Sequence, residues 1–433
     1  MIIGMNAVEG WITKSLDEIG LIFSGSTPST SVQSFWDGDI VWVTPNDLSK
    51  LNTPYLSNSN KRITTKGLKG CSAHLLPSGS IVMSSRAPIG YVAIPMVEFC
   101  TNQGCKSIEL KDDFNAEFTY YNILFNIDKV KNLGEGTTFA EISKTALLKV
   151  KLDFPSSKQE QTKIAEILST VDHAIEQTEA LIAKQQRIKT GLMQDLLTRG
   201  IDEHGNLRSE ETHKFKDTPL GRIPIDWRIQ TLNSCVRPDA QVCYGILMPG
   251  AGYDNGVPVI KVKDITGGKI NQDSLLLTDP KIDNQYNRSK LNNGDIVITI
   301  RGTTGRVAIV PPELDKANIT QDTARIRLKE EHSNQFFYFL LQSKGVQDQI
   351  LLHTLGQAVK GINIGEVKKI FFGLPKETEQ REIAKRLNKL EELICSINKK
   401  LDKLCLLKTS LMQDLLTGKK RVTSFLSEKE MSS

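Results

Sequence analysis

Cations are the residues whose chemistry and placement recur in this sequence. Arg86 lies in GSIVMSSRAPIGYVAI, which begins at Gly79, and Arg301 lies in GDIVITIRGTTGRVAI, which begins at Gly294. A guanidinium just after a strand-like run either holds a phosphate or braces the turn that ends at Gly90 and Gly305. Because both copies keep it, it cannot by itself encode two different preferences. Lys61, Arg62, Lys66 and Lys69 crowd the run KRITTKGLKG, and Lys261, Lys263 and Lys269 play the same part later in the chain. Each cluster is either a solvated loop or a surface for a polyanion. Arg306, Arg325 and Arg327 add charge to the second set, and on a strand Arg325 and Arg327 share a face.

Bond-making chemistry is largely absent. There is no GxxxxGK[ST] phosphate loop and no GxSxG elbow. The run typical of base-amino methyltransferases, Asn or Asp followed by Pro-Pro-aromatic, is missing, and Phe23-Ser-Gly-Ser is a poor cofactor loop. Glu109-Leu-Lys111 and Glu366-Val-Lys368 echo half of a nuclease motif, but such triplets arise by chance. The six histidines show no HExxH or ligand spacing, so no metal is expected. Seven scattered cysteines without a CxxC pair point to reduced thiols and a cytoplasmic setting. The net charge of +5 permits a nucleic-acid partner without demanding one. No apolar run approaches the ~18 residues of a membrane span, and no export signal is apparent.

The elements that must position the cations are dominated by one helix that occurs twice. Ile164–Thr198 aligns without a gap on Ile383–Thr417, and both end in LMQDLLT. Apolar residues recur at steps of three and four: Ile164, Leu168, Val171, Ile175, Ile182 and Ile188 in the first copy. The second has Ile383, Leu387, Leu390, Ile394, Ile397, Leu401, Leu404 and Leu407. A striped helix about 50 Å long at 1.5 Å per residue needs another long helix, and its own repeat is the best partner. Ser157 with Glu160 reads as a capping box at the first entry, and Gly200 as a stop. Leu192, Met193, Leu196 and Leu197, with Leu411, Met412, Leu415 and Leu416, exceed what a two-helix seam needs. They either pack the coil or form an adaptable docking face for partner helices.

The globular parts repeat as well. Trp11 matches Trp227, Gln103 matches Gln321, Tyr120 matches Tyr338, and Glu160-Gln161 matches Glu379-Gln380. The chain therefore divides into a mixed strand-and-helix domain (1–155), a long helix (156–199) and a polar connector (200–223). A second domain (224–375), a second long helix (376–418) and a polar tail (419–433) follow. Strands are expected at Ile40–Val43, Ser80–Ser84 and Tyr91–Ile94, and a helix at Phe118–Phe125. The class is α+β, with two similar mixed domains, a pseudo-two-fold internal repeat and an antiparallel pair of long helices. Such a pair would hold the domains apart.

This order resembles the specificity (S) subunits of Type I restriction-modification systems across essentially the whole chain. The resemblance rests on Pro155…Glu160-Gln161…Ile164-Ala165 and Pro375…Glu379-Gln380…Ile383-Ala384, the two LMQDLLT exits and the LGRIPIDW restart. It implies two target recognition domains on a coiled coil, each reading one part of a split, asymmetric site on double-stranded DNA. It also implies partners: two methyltransferase (M) subunits, and restriction (R) subunits that translocate and cut. Catalysis, S-adenosylmethionine and ATP would then belong to those partners, with no cofactor in this chain. The rival reading is a non-catalytic coiled-coil scaffold that presents two protein-binding modules. Salt separates the two, since phosphate contacts make affinity fall steeply with ionic strength.

Overall fold

The computed structural model describes residues 8–134, 141–356 and 360–426. It contains two compact units. One comprises the residues up to Glu179 together with those from Lys399 onward; the other is Ala180–Asn398. Each long helix therefore contributes to both units.

The first unit opens with Trp11–Ser15, paired antiparallel with Lys151–Pro155, so that the first and last strands of the domain close on each other. Between them runs a five-stranded sheet in the order Gly20–Ser24, Cys105–Leu110, Ile81–Ser84, Val92–Pro95, Tyr55–Leu56. A three-stranded sheet orders Lys61–Ile63, Trp36–Val43 and Phe99–Thr101. Helix Ala116–Phe125 begins at Asn115, whose side chain accepts the Phe118 N–H, and buries Phe118 and Tyr121. They join a core of Ile22, Ile81, Met83, Ile94 and Ile108. The expected strands Ser80–Ser84 and Tyr91–Ile94 and the expected helix lie within one or two residues of these elements, and Ile40–Val43 is the second half of the longer strand Trp36–Val43.

The second unit repeats the plan. Arg228–Thr231 pairs antiparallel with Phe371–Leu374, again first strand with last. A four-stranded sheet runs Cys243–Tyr244, Thr323–Ile326, Ile296–Thr299, Val307–Ile309, and a three-stranded one runs Leu276–Thr278, Val257–Ile260, Asn318–Ile319. Helix Asn334–Gln342 stands where Ala116–Phe125 stood and buries Phe336, Phe337 and Phe339.

The long helices are Lys158–Thr198 (41 residues) and Glu377–Leu415 (39 residues). In the first unit Asp172 meets Lys408 at 2.6 Å and Glu160 meets Arg421 at 2.7 Å. In the second, Lys189 pairs with Glu391, and Glu379 accepts the Ile201 N–H at 2.9 Å. Numbers rise on one segment as they fall on the other, so the helices run antiparallel within each unit. Of the expected seam, Val171, Ile182 and Ile397 are buried, while Ile175, Leu390, Ile394, Leu401 and Leu404 are half-buried. The helix entries behave differently. Ile164 and Leu168 sink into the first unit's core, and Ile383 and Leu387 into the second's. Ile188 and Leu407, part of the predicted stripe, remain 45% and 47% exposed.

The LMQDLLT exits correct the docking-face expectation. Leu196 and Leu197 are buried in the second unit's core, with Leu192 and Met193 packed against it. Leu415 and Leu416 are buried in the first unit's core, with Leu411 and Met412 alongside. Their apolar excess is used by the globular domains of this chain, so the buried leucines have no surface to offer a partner.

Each exit also ends in an ion pair with the opposite helix entry. Gly200 and Gly418 stop the helices in the left-handed region, at φ +64° and +68°. Beyond Gly200, Arg208 donates to Glu379 at 2.5 and 3.1 Å, and the Trp227 indole N–H reaches the same carboxylate at 3.3 Å. Beyond Gly418, Arg421 donates to Glu160 at 2.7 and 2.8 Å. Only half of the predicted capping box therefore forms. The Ser157 hydroxyl accepts the Glu160 N–H at 3.4 Å, but the Glu160 carboxylate turns to Arg421. The connector is less open than its polarity implied. Ile201 and Ile223 are buried, and Phe215–Thr218 pairs with Gly221–Pro224 as a hairpin. Residues 427–433 of the predicted tail lie outside the described residues.

Candidate nucleic-acid interface

The candidate cations divide by what already holds them. Arg325, on the strand Thr323–Ile326, is 4% exposed and donates to the backbone oxygens of Gln241 and Lys290. Burial lowers its pKa, the sign of a guanidinium held away from water. Arg327 also reaches the Lys290 oxygen, on the face predicted for both, and forms a two-point pair with Asp295 at 2.6 and 2.8 Å. Hydrogen bonding to that carboxylate raises its pKa. Arg306 donates to the carbonyls of Val262 and Ile265. Arg325 is an internal brace, and the half-buried Arg306 and Arg327 are already held by this chain, so the expectation that these three contact DNA is corrected on that ground. A period of two places residues on one face without saying which face is the core.

The remaining cations are accessible. Lys61 lies over the Trp36 ring at 5.5 Å, Arg62 holds Asn58, and Lys66 and Lys69 are exposed on the short helix Thr65–Lys69. In the second unit Lys263 is exposed and Lys261 half-buried. Lys269 instead reaches the Cys395 sulfur on the long helix, at 3.7 Å.

Arg86 and Arg301 occupy equivalent places with different partners. Arg86 bridges the backbone of Glu141 and pairs with its carboxylate at 2.9 Å; Lys106, nearly buried, meets the same carboxylate at 3.7 Å. Arg301 bridges Gly361, which has no carboxylate, and among the described residues its guanidinium reaches only the Gln321 side chain, at 3.3 Å. Identical backbone geometry thus leaves one cation neutralised and the other available.

The same holds for the segment beside them. Gly25 and Gly245 each pass so close to a neighbouring strand that a Cβ would lie 1.9 Å from a carbonyl oxygen, of Asn102 and Ile319 respectively. The next residue is held alike in both units: Ser26 N–H on Thr101 O at 2.9 Å, Ile246 N–H on Ile319 O at 2.7 Å. Then the side chains diverge. Thr27 hydrogen-bonds Gln103, whereas its counterpart is Leu247, followed by Met248. The repeat was legible in sequence; this divergence at matched positions was not, because the two segments share only the glycine.

Among the described residues no group of three or more His, Cys, Asp or Glu is placed to hold a metal ion, and no helix is long and apolar enough to cross a membrane. A model of the Type I restriction modification DNA specificity domain matches residues 8–185 and again 252–405. The chain belongs to that family. Both copies of the specificity domain include a globular frame and part of a long helix, which is the unit the internal repeat defines.

Two relatives show how far the likeness to specificity subunits extends. The specificity subunit of the Type I restriction enzyme MjaIX of Methanocaldococcus jannaschii is 29% identical over 95% of this chain and 94% of its own length. That of EcoBI of Escherichia coli is 29% identical over 73% of this chain and 67% of its own. The fold is shared with the crystal structure of the S subunit of a Type I restriction-modification system from M. genitalium, at 17% identity and a TM-score of 0.58. That match covers 96% of this chain and 98% of the other.

Proposed function

We propose that this chain is the sequence-reading subunit of a Type I restriction-modification complex, each unit reading one part of a split, asymmetric site on double-stranded DNA. It directs partner M and R subunits to that site and carries no catalysis of its own. S-adenosylmethionine and ATP are held by those partners. The observation that carries this reading is a duplicated frame with unlike edges: Thr27 and a neutralised Arg86 in one copy, Leu247-Met248 and an available Arg301 in the other. Equal edges would read the same letters twice. Unlike edges need two different half-sites, since specificity comes from base-edge contacts and affinity from phosphate contacts.

The test is equilibrium binding of the assembled M–S complex at fixed salt. The site is first located by mapping methylated adenines in a genome that carries the system. Affinity for that site should exceed affinity for a scrambled duplex by about 10³-fold or more. Equal affinity for both ends the reading, and an affinity insensitive to salt returns the scaffold alternative.

The surface for M subunits follows from what the helices leave uncovered. Ile188 in one unit and Leu407 in the other stand at matched helix positions, and both are about half exposed. Two equivalent apolar patches fit two M subunits. Ile188→Asp and Leu407→Asp should each weaken M association about 10–100-fold, read by analytical ultracentrifugation, with far-UV circular dichroism unchanged. Undiminished association would place the docking face elsewhere.

A further inference from the structure

Among the described residues, the most exposed large apolar residue of the second unit is on its divergent loop. Met248 is 83% exposed and Leu247 49%. Their loop is not loose. On one side Gln321 N–H donates to Ile246 O at 2.9 Å; on the other the Thr278 hydroxyl holds Pro249 O at 2.7 Å. An apolar pair pinned in water is a standing cost that a partner surface would relieve.

The surroundings identify that partner by charge. The Arg288 guanidinium lies 5.3 Å from the centroid of Tyr244, two residues before Ile246, and is otherwise exposed. Arg301 reaches Gln321, whose backbone is bonded to the loop itself. Neither arginine forms an ion pair among the described residues, and Asp254 is the only acid between Leu247 and Gly256. Two free guanidinium groups beside an apolar tip match a duplex, which offers phosphates at its rim and thymine methyls or base faces within.

We propose that Leu247 and Met248 form an apolar finger that presses on the bases of the second half-site, with Arg288 on the adjacent phosphate. This rests on the sequence-reading function above. The matched Thr27–Gln103 pair presents polar atoms at the same place, so the two readers use opposite chemistries on one frame.

The experiment uses the full chain in complex with M subunits and its mapped site. Leu247→Ala with Met248→Ala should lower affinity about 10–100-fold and leave the slope of log K against log salt unchanged, because no phosphate contact is lost. Arg288→Ala should reduce that slope by about 0.9. Discrimination at the first half-site should stay as in the parent. Replacing thymines by uracil and adenines by 2-aminopurine across the second half-site then separates methyl contact from insertion. A double variant that binds as tightly as the parent, loses salt dependence, or loses M subunits overturns the finger. A parent complex that fails to prefer its own site over scrambled DNA overturns the underlying reading instead.

Discussion

Exchanging residues 1–155 for the corresponding domain of a relative with another target should change one half of the recognised site and leave the other half as it was. Each unit's core is built from its own residues: Leu16 to Leu168 with Leu415, Leu416 and Val422 in one, Leu196 to Leu387 in the other. Every mismatched base pair costs about 1–3 kcal/mol, so a half-site that no longer fits should reduce binding to the original target by about 10³-fold or more. The hybrid site should recover it. The incoming domain must still fit Ile164, Leu415 and Leu416, which complete its core from outside the exchanged stretch. Methylation mapping of the chimaera reads the outcome. A chimaera whose two half-sites both change would show that the readers are not independent.

Removing one carboxylate should destabilise the second unit more than any loop change. Glu379, with a side chain only 10% exposed, accepts from Arg208, from Trp227 and from the Ile201 N–H. Glu379→Ala leaves the Arg208 guanidinium buried with only the more exposed Asp226 carboxylate, at 3.3 Å, as counter-charge, a loss of about 3 kcal/mol, the lower end of what breaking a buried pair costs. Urea unfolding followed by tryptophan fluorescence isolates the effect once Trp11, Trp36 and Trp42 of the first unit are replaced by Phe, because Trp227 is the only tryptophan in Ala180–Asn398. Replacing Arg208 and Glu379 together by Met and Leu should restore only part of the loss, since an apolar pair of similar size removes the unpaired charge but leaves the Ile201 and Trp227 N–H groups without their acceptor. A Glu379→Ala midpoint indistinguishable from the parent would mean that water already satisfies the arginine.

The contrast between what the sequence showed and what it hid has a physical basis. The long helices were legible because their apolar period persists over ten turns and occurs twice. The paired strands and the capped helix Ala116–Phe125 were legible from local patterning. The Arg–Glu closures were not: their partners are 171 and 261 residues apart, and the two arginines stand at different distances from their LMQDLLT blocks. Glu160 shows the limit of local rules, for its capping geometry was available and a distant guanidinium took it. The candidate interface was read least well. Arg325 and Arg327 looked like surface cations because charge alone does not reveal burial, and nothing in the sequence singled out Leu247 and Met248 because apolarity alone does not reveal exposure.

The closure through Arg421 bears on how the chain is made. Leu415, Leu416 and Val422 complete the core begun by Leu16, so the first unit draws on residues translated only after all of Ala180–Asn398. Domains usually fold in the order in which they leave the ribosome. Here the later unit is contiguous and can close first, while the earlier one waits with an open apolar trough along Ile164 and Leu168. During that interval the nascent chain is a client for chaperones, and a protease that clips near Gly418 would undo the domain at the opposite end of the sequence.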